Sequence, residues 1–177
     1  MIEEKIKVNI SGGLDFQLPN MVKVRQKFNL PKLSNVYDEI SKDFENKKTS
    51  SRIKPGMKIA IGCGSRGIAN ISEATKAVVD LLLGCKAKPF IFPAMGSHGG
   101  ATAEGQIKVL ADYGITEDSM GCPIKSSMEV VELSKLSDGM PVYIDKFASE
   151  ADGIVVISRI KPHTNFRAPI ESGIVKM

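Results

Sequence analysis

The chain has 177 residues, of which 42% are hydrophobic and 25% charged, and its formal net charge at pH 7 is +4. This composition is typical of one ordinary α/β domain, with or without an extension. No apolar run approaches the roughly 18 residues of a membrane span, and the N-terminus (MIEEKIKV) is charged where a secretory signal is apolar. We therefore expect a cytoplasmic protein that has no membrane partner.

The basic residues argue against a nucleic-acid-binding protein, and the cysteines argue against a disulfide-stabilised one. The clusters of Lys and Arg are not interleaved with aromatic residues, and the chain has no Trp, so a nucleic-acid partner is not expected. Cys63, Cys85 and Cys122 form neither a CxxC pair nor an even disulfide framework. They are interpreted as reduced thiols in a reducing compartment.

Residues 1–50 are predicted to form a β-rich N-terminal segment that contains one helix. Charged and apolar residues alternate over residues 5–10 and again over residues 21–28, as they do in short edge strands. Residues 35–46 place apolar side chains on one helical face, and Ser34 is the predicted N-cap. A polar stretch then predicts a linker into the main domain.

Residues 51–177 are predicted to form an α/β domain in which apolar strands alternate with helices. The predicted strands cover residues 57–61, 90–95 and 153–157, and the predicted helices cover residues 72–83 and 101–113, with stops at Gly84 and Gly114. An additional antiparallel pair, residues 128–133 and 141–144, is predicted across an Asp-Gly turn. This alternation predicts a Rossmann-like fold, a mostly parallel sheet with helices on both faces.

The loops that follow the three apolar strands hold the candidates for chemistry. They read GCGSRG, GSHGG and SRIKPHT in chain order. Ligands of open α/β sheets bind beyond the carboxyl ends of the strands, and both histidines of the chain, His98 and His163, fall in these loops. A lone histidine is more often a surface residue, whereas two in equivalent loops favour proton exchange with one bound substrate.

Arg66, in the first of these loops, has two interpretations. It is either a surface arginine in a glycine-rich turn or a bidentate clamp for a carboxylate or a phosphate. The sequence GCGSRG resembles a phosphate-binding loop, although it is neither a Walker A motif nor the GxGxxG fingerprint. The motif alone therefore does not decide between the two.

No motif indicates a glycosidase, a zincin or an α/β-hydrolase. Two other functions remain compatible with the residues alone. One is a non-catalytic α/β module that binds a nucleotide or a sugar phosphate in the same crevice. The other is a metal-dependent hydrolase, which needs carboxylates such as Glu104 or Glu171 in addition to the two histidines.

Three long segments, GSRGIAN, PAMGSHGGATAEGQ and RIKPHTNFRAPIESGIVKM, occur in this order, with ADGIVV before the last. Together they resemble the N-terminal domain of the nickel-dependent lactate racemase family, in particular its branch of 2-hydroxy-acid racemases and epimerases. The resemblance covers residues 57–177. It implies an isomerase that acts on a small 2-hydroxy acid.

The resemblance implies a cofactor, the nickel pincer nucleotide. This is a pyridinium mononucleotide whose two sulfur-bearing arms hold nickel and which is tethered to a lysine through a thioamide. Lys176 matches the tethering lysine, and Ser65, Gly99 and Gly173 match positions that bind the cofactor. No residue of the chain is expected to bind the metal, because the family's nickel-binding histidine lies downstream of the tethering lysine.

The resemblance also implies the reaction. His98 and His163 match the two general acid/base histidines, and Arg66 matches the arginine that holds the substrate carboxylate. The C2 hydrogen leaves as a hydride to the cofactor ring while one histidine takes the hydroxyl proton. The flat 2-keto acid then receives the hydride on its other face, with a proton from the second histidine, so each enantiomer needs its own base.

Two departures from the family pattern bear on the substrate. Lactate racemases have an acidic residue three positions before the arginine and a glycine-rich loop after the second histidine, where this chain has Cys63 and FRAP (residues 166–169). A bulkier or more polar 2-hydroxy acid is therefore as compatible as lactate. The resemblance further implies a C-terminal partner domain that closes the cleft, so the chain is expected to be a domain fragment that is inactive by itself.

Overall fold

The computed structural model describes residues 20–29, 32–65, 67–165 and 167–173. The chain divides into two units after Lys32, and every helix and strand given below lies in the unit that begins at Leu33. None of the helices in the described ranges combines the length and the apolar character that crossing a membrane requires.

A three-stranded parallel sheet is the centre of the fold, as predicted. It consists of β1 (Lys58–Cys63), β2 (Lys88–Pro93) and β5 (Gly153–Ile157), in the spatial order β2-β1-β5. Five of the six residues of β1 are buried, because a central parallel strand is covered on both faces. This is why the strand is a nearly continuous apolar run without an alternating pattern.

Two longer helices connect these strands, and both differ from the prediction at their ends. Helix α2 is Ile71–Gly84, so Gly84 belongs to the helix and Lys86 takes the left-handed conformation after it (φ 59°). Helix α3 is Ala103–Asp112, and the predicted stop at Gly114 is confirmed (φ 78°). Its predicted first residue, Ala101, has φ 54° and lies in a 3-10 turn instead.

The helix predicted over residues 35–46 is α1 (Val36–Asn46). The predicted N-cap, Ser34, is wrong by one residue, since the side chain of Asn35 accepts the N–H of Asp38 (3.1 Å). Asn35 has the extended backbone of a cap residue (φ −147°), and its amide oxygen reaches the third helical N–H. Helix α1 packs against α2.

The predicted antiparallel pair is confirmed as β3 (Val130–Lys135) and β4 (Pro141–Asp145). Two short helices were not predicted, α4 (Glu117–Met120) and α5 (Lys146–Ser149). Each spans four residues, too short for a hydrophobic period to be read from the sequence. Residues 123–125 also hydrogen-bond to Ile91, alongside β2.

Each face of the parallel sheet has its own buried cluster. On one face, alternate residues of β1 pack with α2, α3 and α4, through Ile61, Leu82, Leu110 and Met120 among others. On the other face, Ala60 of β1 and the two phenylalanines of β2 pack with α5 and β4. Helices thus flank the sheet, and the β3–β4 pair completes the second cover.

The N-terminal prediction has a mixed outcome. Residues 20–29 have no regular secondary structure and their side chains are exposed, so the strand predicted over residues 21–28 is wrong. An alternating pattern predicts a strand only where a neighbouring strand and a buried face are available. The strand predicted over residues 5–10 lies outside the described residues.

Two adjacent leucines of α2 can be used to test which face of this helix is buried in the core. Leu82 is 1% exposed and Leu83 is 43% exposed. Leu82→Ala is expected to lower the free energy of unfolding by about 2–5 kcal/mol, because it opens a cavity in the main cluster. The matched Leu83→Ala is expected to change it by about 0.5 kcal/mol. Urea unfolding measures both, and equal losses would contradict the packing described.

Candidate functional site

The three parallel strands end at the same level. Cys63, the last residue of β1, pairs with Pro93, the last of β2, and with Ile157, the last of β5. The chain passes from β1 to β2 on one side and arrives later at β5 on the other, so the strand order reverses at β1. Such a switch point leaves a crevice beyond the carboxyl ends of the strands.

A cavity of about 790 Å³ occupies this crevice. The turns after the three strands contribute Ser65, His98 and Arg159 to its lining. The β3–β4 pair contributes apolar side chains, among them Val130 and Tyr143. The cavity therefore has a polar rim along the strand ends and an apolar wall opposite, which is the usual composition of a small-molecule site.

His98 lies in the turn after β2, half-buried, and is bonded to the turn after β1. The Ser65 hydroxyl and Nδ1 of His98 form a hydrogen bond, and Ser65 is 7% exposed. Because a hydroxyl can either donate or accept, it satisfies Nδ1 with or without a proton. His98 can therefore change its protonation state without losing this contact.

The turn that carries His98 is tied to the start of α3. The buried Gln106 donates from Nε2 to the carbonyl oxygen of Gly96 (2.7 Å). Thr102, the N-cap of α3, donates to the carbonyl oxygen of Gly99 (3.2 Å) and accepts the N–H of Gly105 (3.1 Å). The helix start and the turn thus form one hydrogen-bonded unit.

Two glycines allow this unit to close. Gly99 has φ +64°, and a Cβ on it would lie 2.5 Å from the carbonyl carbon of Gly105, while a Cβ on Gly105 would overlap the carbonyl oxygen of Gly99. Gly99, predicted to bind the cofactor, lines a smaller pocket that shares Ser65 and His98 with the main cavity. Its observed role is to let the turn and α3 approach.

His163 lies in a loop that one carboxylate organises. Glu171 accepts the backbone N–H of His163 (2.6 Å) and that of Ala168 (3.1 Å). Arg167 donates to the carbonyl oxygen of His163 (2.7 Å). The backbone N–H groups of His163 and Ala168 hold the pKa of Glu171 below its ordinary value of 4.5, since they stabilise the charged carboxylate.

The His163 ring has a defined tautomer when neutral. Its Nδ1 accepts the backbone N–H of Asn165 (3.1 Å), so Nδ1 carries no proton and Nε2 carries it. Protonation of Nδ1 would remove this hydrogen bond. The two histidines therefore differ in the partner of Nδ1. In His98 this nitrogen is hydrogen-bonded to a hydroxyl, and in His163 it accepts a backbone N–H.

The structure brings some of the predicted site residues together and leaves others apart. Ser65, His98 and Gly173 line the 790 Å³ cavity. Of the residues that the structure describes, those lining it include Lys161 of the last loop but not His163. Arg66 and Lys176 lie outside the described residues.

The cysteines take no part in the cavity. Burial raises the pKa of the Cys63 thiol to about 11 and that of Cys122 to about 11, so both stay protonated near neutral pH. Cys63, at the position where lactate racemases have an acidic residue, packs into the main core. In residues 20–29, 32–65, 67–165 and 167–173, no group of three or more His, Cys, Asp or Glu side chains could hold a metal ion.

Sequence reasoning missed several residues of the cavity. Arg159 and Lys161 had a detectable signal, because they follow directly after an apolar strand as His98 does. Gln106 and the wall formed by β3 and β4 had none. Nothing in a local pattern shows that an antiparallel pair will lie over the end of a parallel sheet.

Fold and site together define the class: a Rossmann-like α/β domain with a cavity beyond the carboxyl ends of its parallel strands. The family described as the lactate racemase N-terminal domain matches residues 14–167. The chain therefore belongs to the lactate racemase N-terminal domain family. The match includes His98 and His163 and ends before Gly173. Comparison with curated proteins and with solved structures found no match.

The contact between Gly99 and Gly105 is testable with paired substitutions. Gly105→Ala should destabilise the domain, because the clash outweighs the gain of about 1 kcal/mol that alanine gives within a helix. The matched Gly84→Ala lies in α2 with nothing within 4 Å of the added Cβ, so it should be neutral or slightly stabilising. Thermal unfolding compares them, and a stabilised Gly105→Ala variant would contradict the contact.

The loop of His163 should loosen in acid. The pKa of Glu171 is lowered in the folded chain, so its contribution is fully present above about pH 4.5 and is lost as the pH falls through the lowered value. Amide hydrogen exchange at His163 and Ala168, corrected for intrinsic rates, should accelerate in that range. Glu171→Gln should remove this pH dependence, since an amide does not ionise in this range; identical profiles would contradict the assignment.

Proposed function

We propose that the chain is the N-terminal, ligand-binding part of a racemase or epimerase of 2-hydroxy acids that uses the nickel pincer nucleotide. The observation that carries the proposal is the placement of His98, bonded through Ser65, at the rim of a cavity at the switch point of a domain of this family. The known reaction of such a family needs an acid/base group at that rim.

The described residues fit a bound mononucleotide. The cavity volume of about 790 Å³ falls within the range of about 300–1,000 Å³ that is usual for small-molecule sites. Gly64, Gly67 and Gly173 line it, and glycines allow a ligand to approach the backbone closely. The apolar wall suits an aromatic ring, and Lys176 is the residue we assign to the tether. When bound, the pyridinium ring supplies a hydride acceptor for the C2 hydrogen of the substrate.

The chain's own residues hold the substrate and move protons. We assign Arg66 to the substrate carboxylate, which a guanidinium binds with two parallel hydrogen bonds. His98 accepts the proton of the substrate hydroxyl at Nε2, while its Nδ1–H donates to the Ser65 hydroxyl before and after the transfer. This support lowers the cost of charging the ring.

His163 serves the opposite face in this proposal. It begins as the imidazolium and donates a proton to the keto oxygen of the 2-keto acid, which leaves the ring neutral. Glu171 holds the backbone at His163, which positions the ring while the 2-keto acid is reduced. The two histidines thus start the reaction in complementary protonation states, as racemisation requires.

A second candidate is a module that binds a nucleotide or a sugar phosphate without turnover. One observation favours it, namely that His163 is not among the described residues that line the cavity. In this case ligand affinity would depend on the cations and the glycines of the rim, and substitution of either histidine would leave it unchanged.

Racemisation tests the proposal in a protein that contains this chain and whose Lys176 adduct has been verified by mass spectrometry. Single enantiomers of lactate, malate and 2-hydroxyglutarate are incubated and analysed by chiral chromatography. One of them should racemise, and His98→Ala or His163→Ala should lower kcat by about 10²–10⁴ with the adduct intact. Ser65→Ala should lower kcat less and shift its pH profile.

The contrary outcomes are distinct. A verified adduct with no racemisation of any 2-hydroxy acid would overturn the enzymatic proposal. Absence of an adduct mass in protein purified with the cofactor would overturn the tether at Lys176. Unchanged turnover in both histidine variants would exclude their acid/base roles.

A further inference from the structure

Two cationic side chains of the cavity lack a carboxylate partner among the described residues. Arg159 and Lys161, both exposed, line the cavity in the turn after β5. Across the described ranges of the chain, neither side chain makes a hydrogen bond or an ion pair with a carboxylate. Two like charges at one rim repel each other unless an anion lies between them.

The acidic residues of the same cavity are already engaged. Glu129 pairs with Lys146, and Asp145 accepts the N–H of Ala148 as the N-cap of α5 (3.0 Å). Both lie on the side of the β3–β4 pair. Within the described residues, neither carboxylate forms an ion pair with Arg159 or Lys161.

The position of Arg159 is set by a glycine. Gly67 has φ +61°, and a Cβ on it would lie 2.5 Å from Nη1 of Arg159. The guanidinium of the β5 turn thus rests against the turn that follows β1. The backbone of Lys161 is held as well, because its N–H donates to Oγ of Ser172 (2.8 Å).

We propose that Arg159 and Lys161 form an anion subsite that binds a second anionic group in the cavity. The group is a phosphate or a second carboxylate, since both take a guanidinium and an ammonium together. The inference rests on the proposed function for the identity of the ligand. It predicts either a dicarboxylic 2-hydroxy acid as substrate or the cofactor phosphate as occupant.

Isothermal titration calorimetry of the chain itself, without cofactor, tests the subsite. It measures the affinity for three probes, L-malate, L-lactate and inorganic phosphate. The double variant Arg159→Ala/Lys161→Ala is expected to weaken the binding of malate or of phosphate at least about tenfold. Its affinity for lactate should be unchanged, because lactate has no second anionic group. Selective loss of malate binding assigns the subsite to the substrate. Selective loss of phosphate binding assigns it to a phosphoryl ligand.

The controls separate this subsite from general electrostatics. Lys42→Ala/Lys47→Ala removes the same two charges from α1, where both pair with acidic residues, and should leave all three affinities unchanged. Arg159→Lys/Lys161→Arg keeps the charge and should retain most of the binding. Circular dichroism establishes that each variant is folded.

Two results would overturn the subsite. One is that the wild-type chain binds neither malate nor phosphate at millimolar concentration. The other is that the double alanine variant binds both as the wild type does. Neither result touches the proposed racemisation, which is read from turnover and from the Lys176 adduct, so the two proposals fail independently.

Discussion

Parallel pairing of β1 on both of its sides is the constraint on which the rest of the structure depends. Hydrogen bonding sets the register, and the register brings Cys63, Pro93 and Ile157 to one level. Because all three strands run the same way, the turns that follow them open on the same edge of the sheet. Ser65, His98 and Arg159 meet around one cavity for this reason, although they are far apart in sequence.

The two histidine turns are supported by different chemistry. The His98 turn is held by neutral groups, the Ser65 hydroxyl, the Gln106 amide and the close contact of two glycines. The His163 loop is held by the charged Glu171. Neutral support is insensitive to pH, whereas a carboxylate supports its loop only while it is ionised. One turn is thus supported by neutral hydrogen bonds, and the other is supported in part by an ionised carboxylate.

Much of the α/β part could be predicted, and the errors have physical causes. The three parallel strands are buried on both faces, so their apolar runs stand out. Helix ends are harder: Asn35 replaces Ser34 as a cap, and Lys86 rather than Gly84 takes the left-handed conformation after α2. Several residues can satisfy the same terminal groups, so composition alone does not select among them. The strand predicted over residues 21–28 failed because alternation does not supply a pairing partner.

Apolar runs and long motifs were sufficient to predict the family, the parallel sheet and the loops in which the histidines lie. The residues that share the cavity, in contrast, are defined by contacts that form when the chain folds. Gly67 supports Arg159 from another turn, and the β3–β4 pair forms the wall opposite the strand ends. Such contacts join residues distant in the chain, so no local pattern contains them; they arise from strand register and the close approach of backbones.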